Sequence, residues 1–385
     1  KVKKERCAFM ETITVPRLLL VNVEALSSVL AARELCLKFL AQRRCALVID
    51  ESVIIKNPSA KRTRFIVKLL APLAKMKRIL SGLPTPRSPL DLFSQFEFLD
   101  PKIIGIRSYY AFRARYAIMK TQQFGGRWVP LVVGYRDIDE LQQRIAPYSY
   151  RVRLEECYDL PAKIYVRRDV PLTPEQLRIY TEIKNYATSQ LNATSHVTAT
   201  AVITQILRLH QVLCGHVRDE VNALHFVPEL RTKTLLDLLE EHSGKAIIWC
   251  SYDANIQHVA ATLLKEYGSG SVARFWGGNA NTREEEEKLF LNDPSCRFMV
   301  ATAAAGGRGR TWTVANLVVY YSSTNDLEHR SQSEERVQAI GKKESVLYVD
   351  LIAPGTVEEK IIKALRKKIN MAAMINGDNY REWLI

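Results

Sequence analysis

The segment Ala46-Leu47-Val48-Ile49-Asp50-Glu51-Ser52 constrains this chain more than any other. Four apolar residues make a run of the length a buried strand uses, and two adjacent carboxylates follow at once. Burying both charges in a core would be costly, so they belong at the strand's C-terminal edge. In open α/β sheets that edge is where ligands bind. An Asp there can hold Mg²⁺ through oxygen ligands, and a neighbouring Glu can orient or deprotonate an attacking water.

The surrounding pattern supports a strand in that place. Arg17 to Asn22 reads as an apolar strand, with a helix from Glu24 to Leu40. Ser59 is placed to cap a helix running to Leu70, Arg78–Leu80 reads as a further strand, and Pro89–Leu99 as an aromatic-rich amphipathic helix. Residues 100–159, rich in aromatics and arginines, read as a helical insertion leading into a linker. A second alternating region begins near Leu230. Its expected strands are Ala246–Trp249, Val272–Phe275, Phe298–Ala301, Val318–Tyr321 and Val346–Leu351. Its expected helices are Asn255–Tyr267, Arg283–Leu291, Gln332–Ile340 and Val357–Met374. Strands alternating with helices imply an α/β fold, with mainly parallel sheets covered on both faces.

The 385 residues are enough for two domains with full cores, and a formal charge of +14 favours an anionic partner, nucleic acid above all. No apolar run approaches the ~18 residues that span a bilayer. The seven cysteines are scattered, odd in number and without a CxxC pair, which is the usage of reduced thiols in the cytoplasm. His210, Cys214 and His216 have metal-ligating chemistry, but they close a helix and read as packing and capping groups.

In order along the chain, LVIDES, ILSGLPTPRSPLDLFSQFEFLDP, YRVRLEECYDLPAKIYVRRDVPLTPEQLRIY, ILRLHQVLCGH, KAIIWCSYDANIQHVAATL, FMVATAAAGGRGRTWTVANLVVYY and QSEERVQAIGK resemble the motifs of Swi/Snf-type superfamily-two helicase-like ATPases, most closely a small phage-encoded group. The resemblance implies two RecA-like lobes with ATP in the cleft and nucleic acid along both. On that basis residues 1–152 form the first lobe, 153–229 a linker with a helical insertion, and 230–385 the second lobe. Asp50 would hold Mg²⁺ through water and Glu51 would align the hydrolytic water. Arg336 would be the arginine finger, supported by Gln332 one turn earlier on the same helix face. Gly307 and Gly309 would bring backbone N–H groups close to phosphates. Lys56, Lys61, Arg62, Arg308 and Arg310 would line the nucleic-acid track. The implied function is ATP-driven movement on double-stranded DNA by a monomer in the cytoplasm (of the host, if phage-encoded), without a membrane. The alternatives are an RNA-directed helicase and a catalytically inactive nucleic-acid-binding module.

Four departures accompany the resemblance. The sequence contains no G-x-x-x-x-G-K-[ST] loop, which is expected upstream of Lys1. Val53 replaces a polar residue that contacts the sixth motif in many relatives. Leu83 stands where a Thr is usual, and Ala339 occupies the place of a second arginine. A chain without its phosphate loop is expected to hydrolyse ATP negligibly by itself.

Overall fold

The computed structural model describes residues 17–42, 44–124, 127–152, 154–193, 199–219, 221–306, 310–324, 326–338 and 342–376. The chain divides into two compact units, chiefly Lys1–Met119 with Val132–Tyr150 and Arg151–Asn370; the outer part of a hairpin, Lys120–Leu131, is grouped with the second.

In the first unit, strand β1 (Ala46–Ile49) pairs in parallel with β2 (Met76–Ile79), from Ala46 opposite Met76 to Ile49 opposite Ile79. These are the parallel strands among its described residues. Arg17 to Asn22, expected as a strand, joins no ladder, and Leu18 and Leu20 are exposed. Helix α1 (Leu30–Ala41) puts Cys36 and Leu40 against Ile49, Phe65 and Leu70 in one core cluster. Helix α2 (Lys61–Phe65) runs into a π-helical turn, Ile66–Leu70, and a 3₁₀ turn, Ala71–Leu73. Pro72 lacks the N–H that would continue the α ladder. The cap of α2 is Ala60 rather than Ser59, because the Ser59 hydroxyl hydrogen-bonds Asn57 Oδ1 at 2.7 Å.

Helix α3 (Leu92–Leu99) ties this unit together. Its Phe98 joins the α1 cluster, while Phe93 and Phe96 join a second cluster. That second cluster contains Phe112 and Tyr116 of α4 (Tyr109–Tyr116) and Leu141 and Ile145 of α5 (Ile138–Ile145). Between α4 and α5 the expected helical insertion is instead a two-stranded hairpin, β3 (Ala117–Phe124) with β4 (Arg127–Tyr135).

The second unit carries a six-stranded parallel sheet in the order β5-β12-β11-β8-β10-β9. Its strands are β5 (Lys163–Asp169), β8 (Lys245–Trp249), β9 (Val272–Phe275), β10 (Phe298–Ala301), β11 (Ala315–Tyr320) and β12 (Val346–Ile352). The short pair β6 (His216–Arg218) and β7 (Leu224–Phe226) stands outside it. Alternate residues feed two cores, as the period of a strand requires. Ile248, Val300 and Val319 face one cluster with Ile256 and Val259 of α9 (Asp253–Tyr267). Ile247, Met299 and Val318 face the other, with Phe290 of α10 (Arg283–Asn292) and Trp312. Burial on both faces is why these strands read as unbroken apolar runs.

Residues 163–169 were expected in the linker, but β5 pairs along its full length with β12 from Lys163 opposite Val346. Helices α6 (Pro174–Ala193) and α7 (Ala199–Leu213) follow it, and α8 (Arg231–Glu240) precedes β8. Helix α11 is Leu327–Glu335, one turn or more earlier than expected, because the Asp326 carboxylate accepts from the Glu328 N–H at 3.0 Å and starts it there. Helix α12 (Val357–Asn376) closes the unit. No helix of the described residues is long and apolar enough to cross a membrane.

Candidate active site

Asp50 and Glu51 stand immediately after β1, at the C-terminal edge of the parallel pair. The chain turns there under strain. Glu51 has φ 48° and ψ 58°, one of three described non-glycine residues with positive φ. Such conformations cost on the order of 1 kcal/mol or more and persist where the surroundings enforce them. The enforcing contacts are visible. The Ser52 N–H donates to the Leu80 carbonyl at 2.8 Å, and the Leu80 N–H donates to the Ile49 carbonyl at 2.9 Å. The Ser52 hydroxyl donates to Gln95 Oε1 at 2.7 Å, and Gln95 Nε2 donates to the carbonyls of Pro84 (2.8 Å) and Asp91 (2.9 Å).

Ser52 and Gln95 are fully buried, and Val53 and Ile55 sink into the core beside them. The segment holding the carboxylate pair is thus fastened to the loop Ser81–Pro84 after β2 through one buried amide. Motif reading did not single out Gln95; its position on the inner face of an amphipathic helix was the available signal. Asp50 itself is exposed, and one of its oxygens accepts the Glu51 N–H at 3.0 Å. Exposed carboxylate oxygens on a pinned turn are suitable donors for Mg²⁺, which favours one or two carboxylates with waters and substrate oxygens.

The basic residues expected nearby have distinct settings. Lys61 is exposed on α2, Lys56 is partly buried at the end of the turn Ser52–Ile55, and Arg62 Nε donates to the Ile54 carbonyl at 3.0 Å. Asp91 caps the turn before α3 by accepting the N–H groups of Arg87 (2.9 Å) and Ser88 (3.2 Å). Burial holds its carboxyl above the ordinary range even with those donors.

In the second unit, Gln332 and Arg336 lie one turn apart, Arg336 being the C-cap of α11. That helix is fixed to the sheet by buried charge. Arg330 Nε donates to Glu334 Oε1 at 2.8 Å, its Nη1 to Asp350 Oδ1 at 2.6 Å, and its guanidinium lies 3.4 Å over the Tyr320 ring. The Tyr165 hydroxyl of β5 donates to Glu334 Oε2 at 2.7 Å. Burial alone would raise the Glu334 carboxyl, yet Arg330 and Lys163 hold it below its ordinary value. The motif reading gave no role to Arg330 or Glu334 although they flank Gln332.

Arg336 is 8% exposed, and its guanidinium donates to the Arg310 carbonyl, while its own carbonyl accepts the Trp312 N–H at 2.7 Å. The side chain of Arg310 pairs with Glu287 at 2.6 Å, and Trp312 Nε1 donates to the other Glu287 oxygen at 2.7 Å. The structure therefore brings Arg336 and Arg310 together on one carboxylate-anchored turn, where the sequence suggested a basic residue facing a nucleic-acid track. A Cβ on Gly306 would come within 2.9 Å of the Trp312 ring, so that turn must open on glycine. Gly307, Arg308, Gly309 and Ala339 lie outside the described residues.

The metal-type residues rearrange as well. The ligand atoms of His210, Cys214 and Glu358 lie within 4.8 Å of one another, with Glu358 in the place where the sequence suggested His216. Glu358 is doubly bonded by Arg231 Nη2 at 2.7 and 2.8 Å and accepts the Ala353 N–H at 2.7 Å. His210 Nδ1 meets the Tyr252 hydroxyl at 2.7 Å, and its Nε2 stands 3.3 Å from Glu358. His216 packs edge-on against the Tyr252 ring at 5.1 Å. Burial opposes charge on Glu358, but Arg231 and His210 outweigh it and its carboxyl is pushed down to about 2. Burial pushes His216 down to about 4.

Each unit is thus α/β in class, the first ending a parallel strand in a carboxylate pair and the second carrying an arginine at the end of a helix clamped to its parallel sheet. Residues 8–217 match the SNF2-related domain and residues 230–342 the helicase conserved C-terminal domain, and the chain belongs to the SNF2-related family. It is 25% identical over 390 residues to the TATA-binding protein-associated factor MOT1 of Saccharomyces cerevisiae, covering 86% of this chain and 20% of that protein. It is 26% identical over 339 residues to the DNA annealing helicase and endonuclease ZRANB3 of Bos taurus (86% and 30% covered). It is also 26% identical over 340 residues to the putative ATP-dependent helicase/translocase YwqA of Bacillus subtilis (84% and 34%). The chain thus spans about a fifth to a third of the length of these relatives. A solved structure, the Sulfolobus solfataricus SWI2/SNF2 ATPase core in complex with dsDNA, aligns with a TM-score of 0.45 and 24% identity over 90% of this chain and 72% of that one.

Proposed function

We propose that this chain is the catalytic part of a DNA-dependent ATPase that moves along duplex DNA, using ATP with Mg²⁺. The observation that carries the reading is the strained, doubly anchored turn at Asp50-Glu51. A backbone held in a costly conformation by buried hydrogen bonds fixes where the carboxylates point, and phosphoryl transfer depends on such positioning more than on covalent chemistry. Bound at Asp50, the metal would neutralise charge on the phosphates. Glu51 orients the attacking water and takes up its proton. Arg336, steadied by Gln332 and by the Arg330–Glu334–Asp350 clamp, supplies positive charge to the transferring group. Lys56, Lys61, Arg62 and the Gly307–Gly309 turn with Arg308 contribute phosphate contacts to the nucleic acid or the nucleotide, and these read the backbone without sequence preference.

Arg336 bears on a second reading, a nucleic-acid-binding module without turnover. Its guanidinium is engaged by the Arg310 carbonyl and must leave it to serve a phosphate. The two readings separate on Glu51→Gln in the protein that contains this chain. That substitution keeps shape but removes the base, so ATP binding should stay within about threefold while DNA-stimulated hydrolysis falls by at least about 10³-fold. Equal turnover by parent and variant would remove Glu51 from the reaction; no turnover by the parent would favour the binding module.

A further inference from the structure

The β3–β4 hairpin is the element that the ATPase reading leaves without a task. Its base is well defined. The Arg136 N–H donates to the Tyr116 carbonyl at 3.0 Å, and Ile118 packs over Gly134, where a Cβ would stand 3.4 Å from the Ile118 Cδ1. Arg136 also caps the end of α4 through the carbonyls of Arg115 (3.0 Å) and Ala114 (2.6 Å). The two strands then leave the core. Val132 and Val133 are consecutive and so point to opposite faces, and they are 39% and 49% exposed. Ala117, Met119 and Tyr135 at its base pack against the core, while beyond them several apolar side chains on the described strands stand exposed. Ile118 is 45% exposed and Trp128, near the start of β4, 66%.

Charge indicates what such a hairpin meets. Between Asp100 and Asp137 the chain carries seven lysines and arginines and not one Asp or Glu. Lys120 is exposed on β3, and on the adjoining α4 the Arg113 guanidinium lies 5.5 Å over the ring of the exposed Tyr110. Arg115 is tied down by Asp137 (3.2 Å) and Glu140 (3.1 Å). An apolar face meant for a protein partner would not need a run of 36 residues with cations and no carboxylates, whereas a polyanion favours one. Aromatic rings standing out of a basic field suit a strand whose bases present their π-faces, and in a closed duplex those faces are covered by neighbouring bases.

We propose that the hairpin engages an unpaired stretch of nucleic acid, with Trp128 stacking on a base and Lys120 neutralising a neighbouring phosphate. This rests on the nucleic-acid reading above and adds a preference for partly single-stranded DNA over closed duplex. Base–aromatic stacking of this kind is worth about tenfold in affinity.

Fluorescence anisotropy of this chain on two labelled DNAs tests it: a fully paired duplex, and the same duplex with a single-stranded arm. The parent should bind the armed DNA more tightly. Trp128→Ala should weaken binding to the armed DNA about tenfold and leave the duplex within twofold, and Trp128→Phe should recover the armed DNA to within threefold. Because Trp128 is exposed, circular dichroism should be unchanged in both variants. Unchanged affinity of Trp128→Ala for both DNAs overturns the hairpin's role, as does equal loss on both. A parent that sediments as a dimer, and as a monomer when Trp128 is Ala, overturns it in favour of a second copy of the chain. A parent that binds neither DNA overturns the nucleic-acid reading itself.

Discussion

The most consequential single residue to which the motifs assign no role is Gln95. Its amide accepts from Ser52 and donates to two carbonyls, so it couples the carboxylate turn to the loop after β2. Gln95→Ala would leave the buried Ser52 hydroxyl without its acceptor, at about 1–3 kcal/mol, and the half-buried Pro84 carbonyl without its donor. We expect a loss of about 2 kcal/mol in the denaturant unfolding of the first unit. A larger fall in hydrolysis than in ATP affinity should accompany it, since Glu51 loses its fixed direction. If Gln95→Ala and the parent share both midpoint and turnover, the strain at Glu51 is held by the backbone bonds of Ser52 and Leu80 alone.

Among the elements, α11 shows how a helix of low apolar content is held in place. Leu327–Glu335 is mostly polar, and its burial rests on Arg330, Ser333 and Glu334, each with a defined partner on the sheet. Arg330→Met would take the guanidinium from both Glu334 and Asp350 and leave Glu334 with the Lys163 cation alone, at 3.6 Å. Breaking a buried pair from one side costs about 3–5 kcal/mol, while replacing both partners with apolar groups often costs little. Arg330→Met should therefore lower the denaturant midpoint of the second unit strongly, and Arg330→Met with Glu334→Leu should restore part of it. Trp249 and Trp312, stacked 5.6 Å apart in that unit's core, report the transition by fluorescence. A double variant no more stable than the single one would mean that Tyr165 and Lys163, not Arg330, decide the fate of Glu334.

Over the whole molecule, pH acts through the group that joins α7, α8, α9 and α12. His216 is held near 4, below its ordinary value, so burying it neutral stabilises the fold fully above about pH 6.5. That contribution is lost as pH falls toward 4. Glu358 is held near 2, so its contribution is full above about pH 4.5 and is lost as pH falls further, on the order of 3 kcal/mol in all. The melting temperature should accordingly decline in two stages on acidification. His216→Phe keeps a ring against Tyr252 and should erase the first stage; Glu358→Gln should lower stability at pH 7 and flatten the second. A single decline unaffected by His216→Phe would place the first titration elsewhere.

Part of this protein is written in local pattern. Val272–Phe275 and Phe298–Ala301 are strands with the bounds the sequence implied, because strands buried on both faces must be apolar throughout. Asp50 and Glu51 follow their strand for the complementary reason, that paired charges cannot follow it into the core. Where burial is one-sided the pattern fails: β5 reads KIYVRRD, has one neighbour and is largely exposed, so nothing in its periodicity marks it as a strand. The hairpin carries little strand signal because only Ala117, Met119 and Tyr135 at its base face a core, and exposed Val132 and Val133 record none. Partnerships were the least legible of all. Ser52 finds Gln95 43 residues away and Arg231 finds Glu358 127 residues away. A polar side chain announces only that it needs a partner once buried, and which partner it receives depends on the segments that tertiary packing lays beside it.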